Sequence, residues 1–285
     1  GEMAPEHGRL TVGPVLPTML KPEGASELPK EDGAGEAWWL SKPFEHVEAH
    51  LEDITWNFDT IVIDEMQDFA PDWIVTLEKL FRPDGPKRLL QVADSGQLVF
   101  DRGFVLPDAG PDLVRADLTV NCRNTHAIAE LLRGFGGAKA APGVPEGESV
   151  EYLSCNSDEA AVEVVGRLLE DLVVGQHVDP ANILVVTGHT ALRDHIRREA
   201  PGGFACVAWE GRHGGDIICE TVYRIKGLER DAVVLVTVRD DLSDHLLYVG
   251  MSRAISTLRV VAPEPLLDRI RAKARLRTRA NVADG

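Results

Sequence analysis

Residues 60–69 read TIVIDEMQDF, a run of β-branched residues that ends in three acidic side chains. β-Branched residues favour a strand, and a second apolar run that ends in aspartate, KRLLQVAD, follows at 87–94. Between the two, PDWIVTLEKLF at 71–81 has the spacing of a helix, with Pro71 at a suitable first position. Strands that alternate with helices predict a parallel sheet whose functional groups lie at the carboxyl ends of the strands.

A short helix is also predicted at 45–54, and the same alternation returns after residue 117. Three helices are predicted there, at 125–135, 157–173 and 190–200. Six strands are predicted, at 150–155, 182–188, 204–209, 216–222, 232–238 and 257–262. Ser157 is expected to cap its helix, with acidic residues in the first turn. The fold class is therefore α/β, and the second layer structure has an ordinary domain size.

The chain has 285 residues, of which 44% are hydrophobic and 27% charged, as in ordinary globular proteins. Its longest apolar runs are too short to span a bilayer, and its first residues do not resemble a secretory signal. We therefore expect a cytoplasmic protein with no membrane partner. Four cysteines without a CxxC pair argue against a zinc knuckle and a disulfide framework. Acidic residues outnumber basic ones 46 to 30, so the net charge by itself does not favour nucleic-acid binding.

Two adjacent carboxylates after the first strand suit a magnesium nucleotide site. Asp64 can hold the metal ion, and Glu65 can orient and deprotonate the water that attacks the γ-phosphate. A solvated acidic turn is the alternative for this segment alone. The full string DEMQD resembles motif II of superfamily 1 helicases of the UvrD/Rep type. The resemblance also implies that Gln67 and Asp68 belong to the ATP site.

Residues 89–100, LLQVADSGQLVF, are similar to motif III of the same family. Asp94 and Gln97 match its GDxxQ positions and are expected at the ATP site, with Ala93 in place of the usual glycine. A glutamine amide at this position can sense the terminal phosphate, and Phe100 can stack on a nucleic-acid base. Packing in the core is the alternative role for Phe100.

The segment NCRNT at 121–125 looks like motif IV, in which an arginine of the second domain reaches the γ-phosphate. Arg123 is that arginine. Cys122 stands where the family commonly has a tyrosine that stacks on adenine, so we expect this contact to be lost.

Residues 220–236 resemble motif V, which reads TxHxxKGLE before a buried strand. The matching residues are Thr221, Lys226, Gly227 and Glu229. By resemblance, Glu229 approaches the ribose, Thr221 meets the nucleic-acid backbone, and Lys226 lies at the ATP site. Gly227 belongs to the same site, where a glycine permits close backbone approach.

The segment YVGMSRA at 248–254 looks like motif VI. Arg253 is then a second arginine finger, a fixed cation that completes charge neutralisation around the transferred phosphoryl group. Tyr248 is expected to pack beside the adjoining helix.

The ordered matches imply a RecA-like, P-loop NTPase-like architecture with a partial first domain and a complete second domain. The predicted divisions are an irregular leader at 1–57, the end of the first domain at 58–103, a hinge at 104–117, the second domain at 118–265 and a basic tail at 266–285. No lysine in the sequence follows a glycine, so the P-loop pattern GxxxxGK[ST] does not occur. We therefore expect the latter part of a helicase, with an upstream P-loop segment as its partner.

The resemblance implies an ATP-dependent DNA helicase or translocase that uses ATP and Mg²⁺ and moves on single-stranded or partly duplex DNA, with RNA as an open alternative. This chain alone is expected to be nearly inactive. A noncatalytic nucleic-acid-binding or regulatory module with the same fold is an alternative from a different class. A metal nuclease built on Asp64, Glu65 and Asp68 is a weaker one, because no basic residue completes that cluster locally.

Overall fold

The computed structural model describes residues 42, 45–51, 57–94, 105–111 and 113–283, with side chains up to residue 275. The described chain divides into two compact units. The first comprises the described residues up to Asp94 together with 105–107, and the second begins at Asp108. The domain bounds given above stay predictions.

In the first unit, one helix covers one face of a two-stranded parallel sheet. The elements are β1 (Thr60–Ile63), α1 (Pro71–Glu78) and β2 (Arg88–Gln91). Leu77 of α1 packs with Ile63 of β1 and with Val47, which lies in a short helical segment at 45–49. The predicted strand, helix and strand are confirmed here, each with shorter bounds than the sequence indicated.

The second unit contains the remaining strands and helices. The strands are β3 (Val120–Asn121), β4 (Lys139–Ala140), β5 (Glu151–Ser154), β6 (Ile183–Thr187), β7 (Cys206–Val207), β8 (Ile217–Thr221), β9 (Arg230–Val236) and β10 (Ala254–Ala262). The helices are α2 (His126–Arg133), α3 (Asp158–Glu170), α4 (Thr190–Glu199), α5 (Asp244–Met251) and α6 (Glu264–Ala283). Six strands form an all-parallel sheet in the order β5-β10-β9-β6-β8-β7, and β3 and β4 form a separate parallel pair.

Helices cover both faces of the six-stranded sheet. α2, α5 and α6 pack in the apolar cluster on one face, and α3 and α4 pack in the cluster on the other. All five residues of β6 are buried, as expected for a parallel strand between two helical layers. The predicted α/β fold class with a parallel sheet is therefore confirmed.

Local signals in the sequence explain several element ends. The Ser157 side chain accepts a hydrogen bond from the backbone N–H of Ala160 and caps α3, as predicted. The strand predicted at 204–209 differs, because β7 ends at Val207 and Trp209–Gly211 forms a 3₁₀ turn. The segment predicted as a basic tail begins inside α6, where Leu266 and Leu267 are completely buried.

Among the described residues, no helix is both long enough and apolar enough to cross a bilayer.

Candidate functional site

The acidic residues of the first unit lie where the sequence placed them, at the carboxyl ends of two neighbouring strands. Asp64 directly follows β1, and Asp94 comes three residues after β2. β1 and β2 are parallel, so both connections leave from the same edge of the sheet. The backbone N–H of Met66 donates to the Val92 carbonyl at 2.9 Å and joins the two connections.

The turn after β1 depends on Glu65. Its backbone lies in the left-handed region, with φ 54° and ψ 40°, which is unfavourable for a residue with a side chain. The backbone N–H of Glu65 donates to Asp64 Oδ1 at 2.9 Å. This turn leaves Asp64 exposed and Glu65 half-buried, so the edge of the sheet carries two adjacent carboxylates.

Gln67 is completely buried and ties the two acidic segments together. Its Nε2 donates to Glu65 Oε2 at 2.5 Å, and its Oε1 accepts the backbone N–H of Asp94 at 3.0 Å. The amide therefore orients the Glu65 carboxylate, and direct contact of Gln67 with ATP stays a prediction. Gln97 and Phe100 lie outside the described residues.

Asp64 has the donor chemistry that a magnesium ion requires. Mg²⁺ in nucleotide sites is usually held by one or two carboxylates together with phosphate oxygens and water. In the described part of the chain there is no group of three or more His, Cys, Asp or Glu side chains that could hold a metal ion by themselves. A site that uses Asp64 together with nucleotide phosphates fits both observations.

In the second unit, Glu229 and Arg253 lie at the amino ends of neighbouring strands, and Arg123 pairs with Glu229. Glu229 immediately precedes β9 and Arg253 immediately precedes β10, which is the neighbouring strand. Arg123 follows β3, and its Nη2 lies 2.9 Å from Glu229 Oε1. The sequence predicts functional groups at carboxyl ends of strands, and for Glu229 and Arg253 that prediction is wrong. The loops that carry them enter β9 and β10 instead of leaving them.

The two predicted arginine fingers differ in exposure. The Arg123 side chain is 45% exposed, whereas Arg253 is 2% exposed. Arg253 Nε donates to the Val249 carbonyl at 3.1 Å, and its Nη2 donates to Ser252 Oγ at 3.1 Å. These bonds fix the Arg253 guanidinium between α5 and the start of β10. The arginine-finger roles of both residues stay predictions.

Asn121 and Asn124, which flank Arg123, hold the loop in place. Asn121 Oδ1 accepts the backbone N–H groups of Arg123 and Asn124 at 3.0 and 3.1 Å. Asn124 is 3% exposed, and its Nδ2 donates to the carbonyls of Ser252 and Ala254 at 3.3 and 2.5 Å. Asn121 had been recognised only as part of the motif, and Asn124 had been given no role. The Asn121 bonds are of the local kind that asparagine favours near turns and helix starts, whereas the Asn124 bonds reach residues 128 and 130 positions away.

Thr221 lies apart from this group. It is the last residue of β8 and is 4% exposed, at the carboxyl edge of the sheet, whereas Glu229 and Arg253 lie at the amino edge. Between the two edges, Gly227 adopts φ +73°, a conformation that glycine reaches without strain. Motif V therefore runs from one edge of the sheet to the other.

Next to Thr221 is a buried ion cluster that the sequence did not reveal. Glu220 is completely buried, and its carboxylate lies 2.7 Å from Arg197 Nη2 and 3.3 Å from the Trp209 backbone nitrogen. Arg193 and Arg224 lie farther away, at 3.7 and 3.6 Å. This cluster joins α4 to the end of β8 and fixes the backbone that carries Thr221.

All four cysteines are free. Cys122 is exposed, and the other three are buried. Burial raises the pKa of the Cys155 thiol to about 11 and that of Cys206 to about 12, and it also raises the pKa of Cys219. These three thiols are therefore protonated at neutral pH.

Together these features define a parallel α/β domain with a charged cluster at one edge of its sheet. Residues 216–261 match the UvrD-like helicase C-terminal domain family. This segment contains the predicted motifs V and VI, so the resemblance to the C-terminal portion of UvrD-type helicases is confirmed over it. The match supports a helicase-like role for the chain. No curated protein sequence matches the chain.

Several solved structures are similar at low identity. The C-terminal domain of a possible DNA helicase from Lactobacillus plantarum WCFS1 is 21% identical, with 52% of this chain and 92% of that chain covered and a TM-score of 0.42. The PRRSV helicase is 15% identical, with 73% and 36% covered and a TM-score of 0.41. Arterivirus nonstructural protein 10, a helicase solved with DNA, is 16% identical, with 75% and 41% covered and a TM-score of 0.39.

Proposed function

We propose that the chain is the C-terminal motor portion of an ATP-dependent DNA helicase or translocase of the UvrD-like type, which acts in the cytoplasm and couples ATP hydrolysis to movement on single-stranded DNA. The observation that carries this proposal is the pairing of Arg123 with Glu229 beside Arg253. Motifs IV, V and VI are separated along the chain, yet Arg123 of motif IV pairs with Glu229, which precedes β9, and Arg253 precedes the neighbouring strand β10.

In this proposal Arg123 binds the γ-phosphate and Glu229 the ribose. The ion pair between them holds Arg123 at the site before a nucleotide arrives. Both side chains are partly exposed, at 45% and 34%, and such pairs contribute only about 0–1 kcal/mol. Replacing the Glu229 carboxylate with a nucleotide phosphate as the partner of Arg123 therefore costs little free energy. Arginine suits this exchange because its planar guanidinium forms paired hydrogen bonds to phosphate oxygens.

The first unit supplies the carboxylates. Asp64 would hold Mg²⁺, which neutralises phosphate charge when bound. Glu65, oriented by Gln67, would accept a proton from the attacking water. Asp68, Asp94, Gln97, Lys226 and Gly227 complete the proposed ATP site. The phosphates are expected to be cradled by a P-loop segment upstream in the same protein.

The proposed nucleic-acid contacts are Thr221 and Phe100. The substrate is single-stranded or partly duplex DNA, and RNA is tested alongside it. Thr221 is held by a rigid strand end next to the Glu220 ion cluster, which suits a residue that grips a backbone at a fixed place.

The test is DNA-stimulated ATP hydrolysis by the full-length protein that contains this chain. Arg123→Ala is expected to lower kcat on the order of 10³-fold, the scale of an arginine finger. Arg167→Ala, which removes an exposed arginine from α3, is the matched control and should leave kcat unchanged. Wild-type kcat in Arg123→Ala would contradict the proposal.

The burial of Arg253 favours a second candidate function, a noncatalytic nucleic-acid-binding or regulatory module. A guanidinium that is 2% exposed and donates to Val249 and Ser252 is placed to support the fold. DNA binding by the full-length protein without any ATP hydrolysis would favour this candidate.

A further inference from the structure

We infer that Asn124 is a positioning residue that fixes Arg123 relative to Arg253, an inference that rests on the proposed function for its catalytic consequence. The side chain of Asn124 lies in motif IV, and its two amide N–H groups reach the backbone of motif VI on either side of Arg253.

The hydrogen bonding of this buried amide is specific. Nδ2 donates one bond to the residue before Arg253 and one to the residue after it, so both donors of the amide are used. Oδ1 accepts a bond from Asn121 Nδ2 at 2.6 Å. Asn121 in turn accepts the backbone N–H groups of Arg123 and Asn124. The backbone beside each arginine is thereby tied to the same pair of amides.

A second path joins the same two arginines. Arg123 pairs with Glu229 at 2.9 Å, and the next residue, Arg230, donates its backbone N–H to the Arg253 carbonyl at 3.1 Å. The backbone N–H of Thr125 also donates to the Ile255 carbonyl at 3.0 Å. The segments that carry Arg123 and Arg253 are therefore connected at several points. Asn124 is the side chain that bonds directly from the first segment to the backbone of the second.

Only an amide side chain of this length can donate to the Ser252 and Ala254 carbonyls at the same time. Aspartate has no N–H to donate and would place a carboxylate against two carbonyl oxygens, and serine has a single donor on a shorter side chain. Alanine leaves both carbonyls without this partner. The Arg123 loop would then lose its side-chain bonds to the backbone of motif VI, while the Thr125 bond and Arg123 itself are unchanged.

Kinetics of the full-length protein separate positioning from a general structural effect. Asn124→Ala is expected to lower the kcat of DNA-stimulated ATP hydrolysis on the order of 10²-fold, because small displacements of a catalytic group have effects of this size. If Asn124 acts through Arg123, the double variant Asn124→Ala/Arg123→Ala should be no slower than Arg123→Ala alone. A further loss of about 10-fold or more in the double variant would show that Asn124 acts independently of Arg123 and would overturn the inference.

A spin label on Cys122 tests the same claim without any catalysis. Cys122 is exposed and lies next to Arg123, whereas the other cysteines are buried, so a nitroxide reagent modifies this site selectively. Asn124→Ala should increase nitroxide mobility, Asn124→Ser should give an intermediate spectrum, and the exposed control Asn182→Ala should match wild type. Should Asn124→Ala fail to fold, as judged by circular dichroism, Asn124→Ser decides the result.

The kinetic and the spin-label experiments test the proposed function and the positioning role separately, so one can fail without the other. A wild-type protein that hydrolyses no ATP contradicts the proposed function, while a mobile label in the Asn124 variants still supports the positioning contact. An unchanged nitroxide spectrum in both folded variants overturns the inference whatever the ATPase activity is.

Discussion

Replacing Glu220 with glutamine removes a negative charge from the interior of the second unit while it keeps the size of the side chain. Glu220 is completely buried at the end of β8, and its carboxylate lies 2.7 Å from Arg197 Nη2. The remaining amide oxygen can still accept the backbone N–H of Trp209, which lies 3.3 Å from the carboxylate. The substitution therefore tests the ion pair and leaves the packing in place.

The size of the effect follows from the burial of the two partners. Removal of one member of a buried ion pair costs about 3–5 kcal/mol, because the other charge stays in the interior without compensation. Arg197 is 21% exposed and also donates to the Cys219 carbonyl, so its charge keeps some solvation. We therefore expect the lower end of that range, about 3 kcal/mol, which corresponds to a fall in Tm of roughly 6–12 °C for a domain of this size.

Thermal unfolding of the whole chain, followed by calorimetry and by circular dichroism, measures this change. Asp194→Asn is the matched control, because Asp194 lies on the same helix as Arg197, pairs with an arginine and is 54% exposed. It should change stability by less than about 1 kcal/mol. If Glu220→Gln unfolds at the same temperature as Asp194→Asn, the cluster does not stabilise the end of β8 and the reasoning is wrong.

Three further predictions concern packing, capping and thiol chemistry. Gly166→Ala should destabilise the chain by about 1–3 kcal/mol in a urea titration, because its Cβ would lie 2.7 Å from the backbone nitrogen of Gly202. Gly211→Ala is the control and should be neutral, because a Cβ at this position meets open space. Ser157→Ala should cost about 1 kcal/mol in the same titration by removing the cap of α3, and Ser157→Thr should restore most of it. With a thiol reagent near pH 8, Cys122 should react in the folded chain. The three buried cysteines should react only on unfolding, since burial raises the pKa of their thiols. Rapid modification of more than one cysteine in the folded chain would contradict this prediction.

The sequence predicted the parallel α/β fold because its strongest signals are local. The ILVVT run of β6 is buried on both sides, and the serine before α3 forms the expected cap. The two residues of β4 had no such signal, since a strand this short depends on its pairing with β3. The strand predicted at 204–209 includes Trp209, yet β7 ends before it and the chain turns there.

The positions of the candidate residues relative to the strand ends were predicted correctly in the first unit, but not for Glu229 and Arg253 in the second. Asp64 and Asp94 follow their strands, as the rule for open parallel sheets requires. Arg253 and Glu229 precede theirs, and their proximity arises because β9 and β10 are neighbours with Ala254 opposite Arg230. Strand order is a tertiary property, so no pattern within a single motif indicated that motifs V and VI would meet at the amino edge.

Neutral amides hold the charged groups of both units, and the sequence did not reveal this role, since it assigned Gln67 to the ATP site and gave Asn124 no function. Gln67 bonds the Glu65 carboxylate on one side and the Asp94 backbone on the other, and Asn124 bonds the carbonyls on either side of Arg253. An amide can donate and accept at once, which neither a carboxylate nor a guanidinium can do, so it can link a functional loop to a backbone of the next loop without adding charge. A charged side chain in the same place would compete for the phosphate or the metal ion that the site is proposed to bind. The side chains proposed to act on a substrate are therefore recognisable from charge in the sequence, whereas those that position them become visible only when the backbone groups they bind are known.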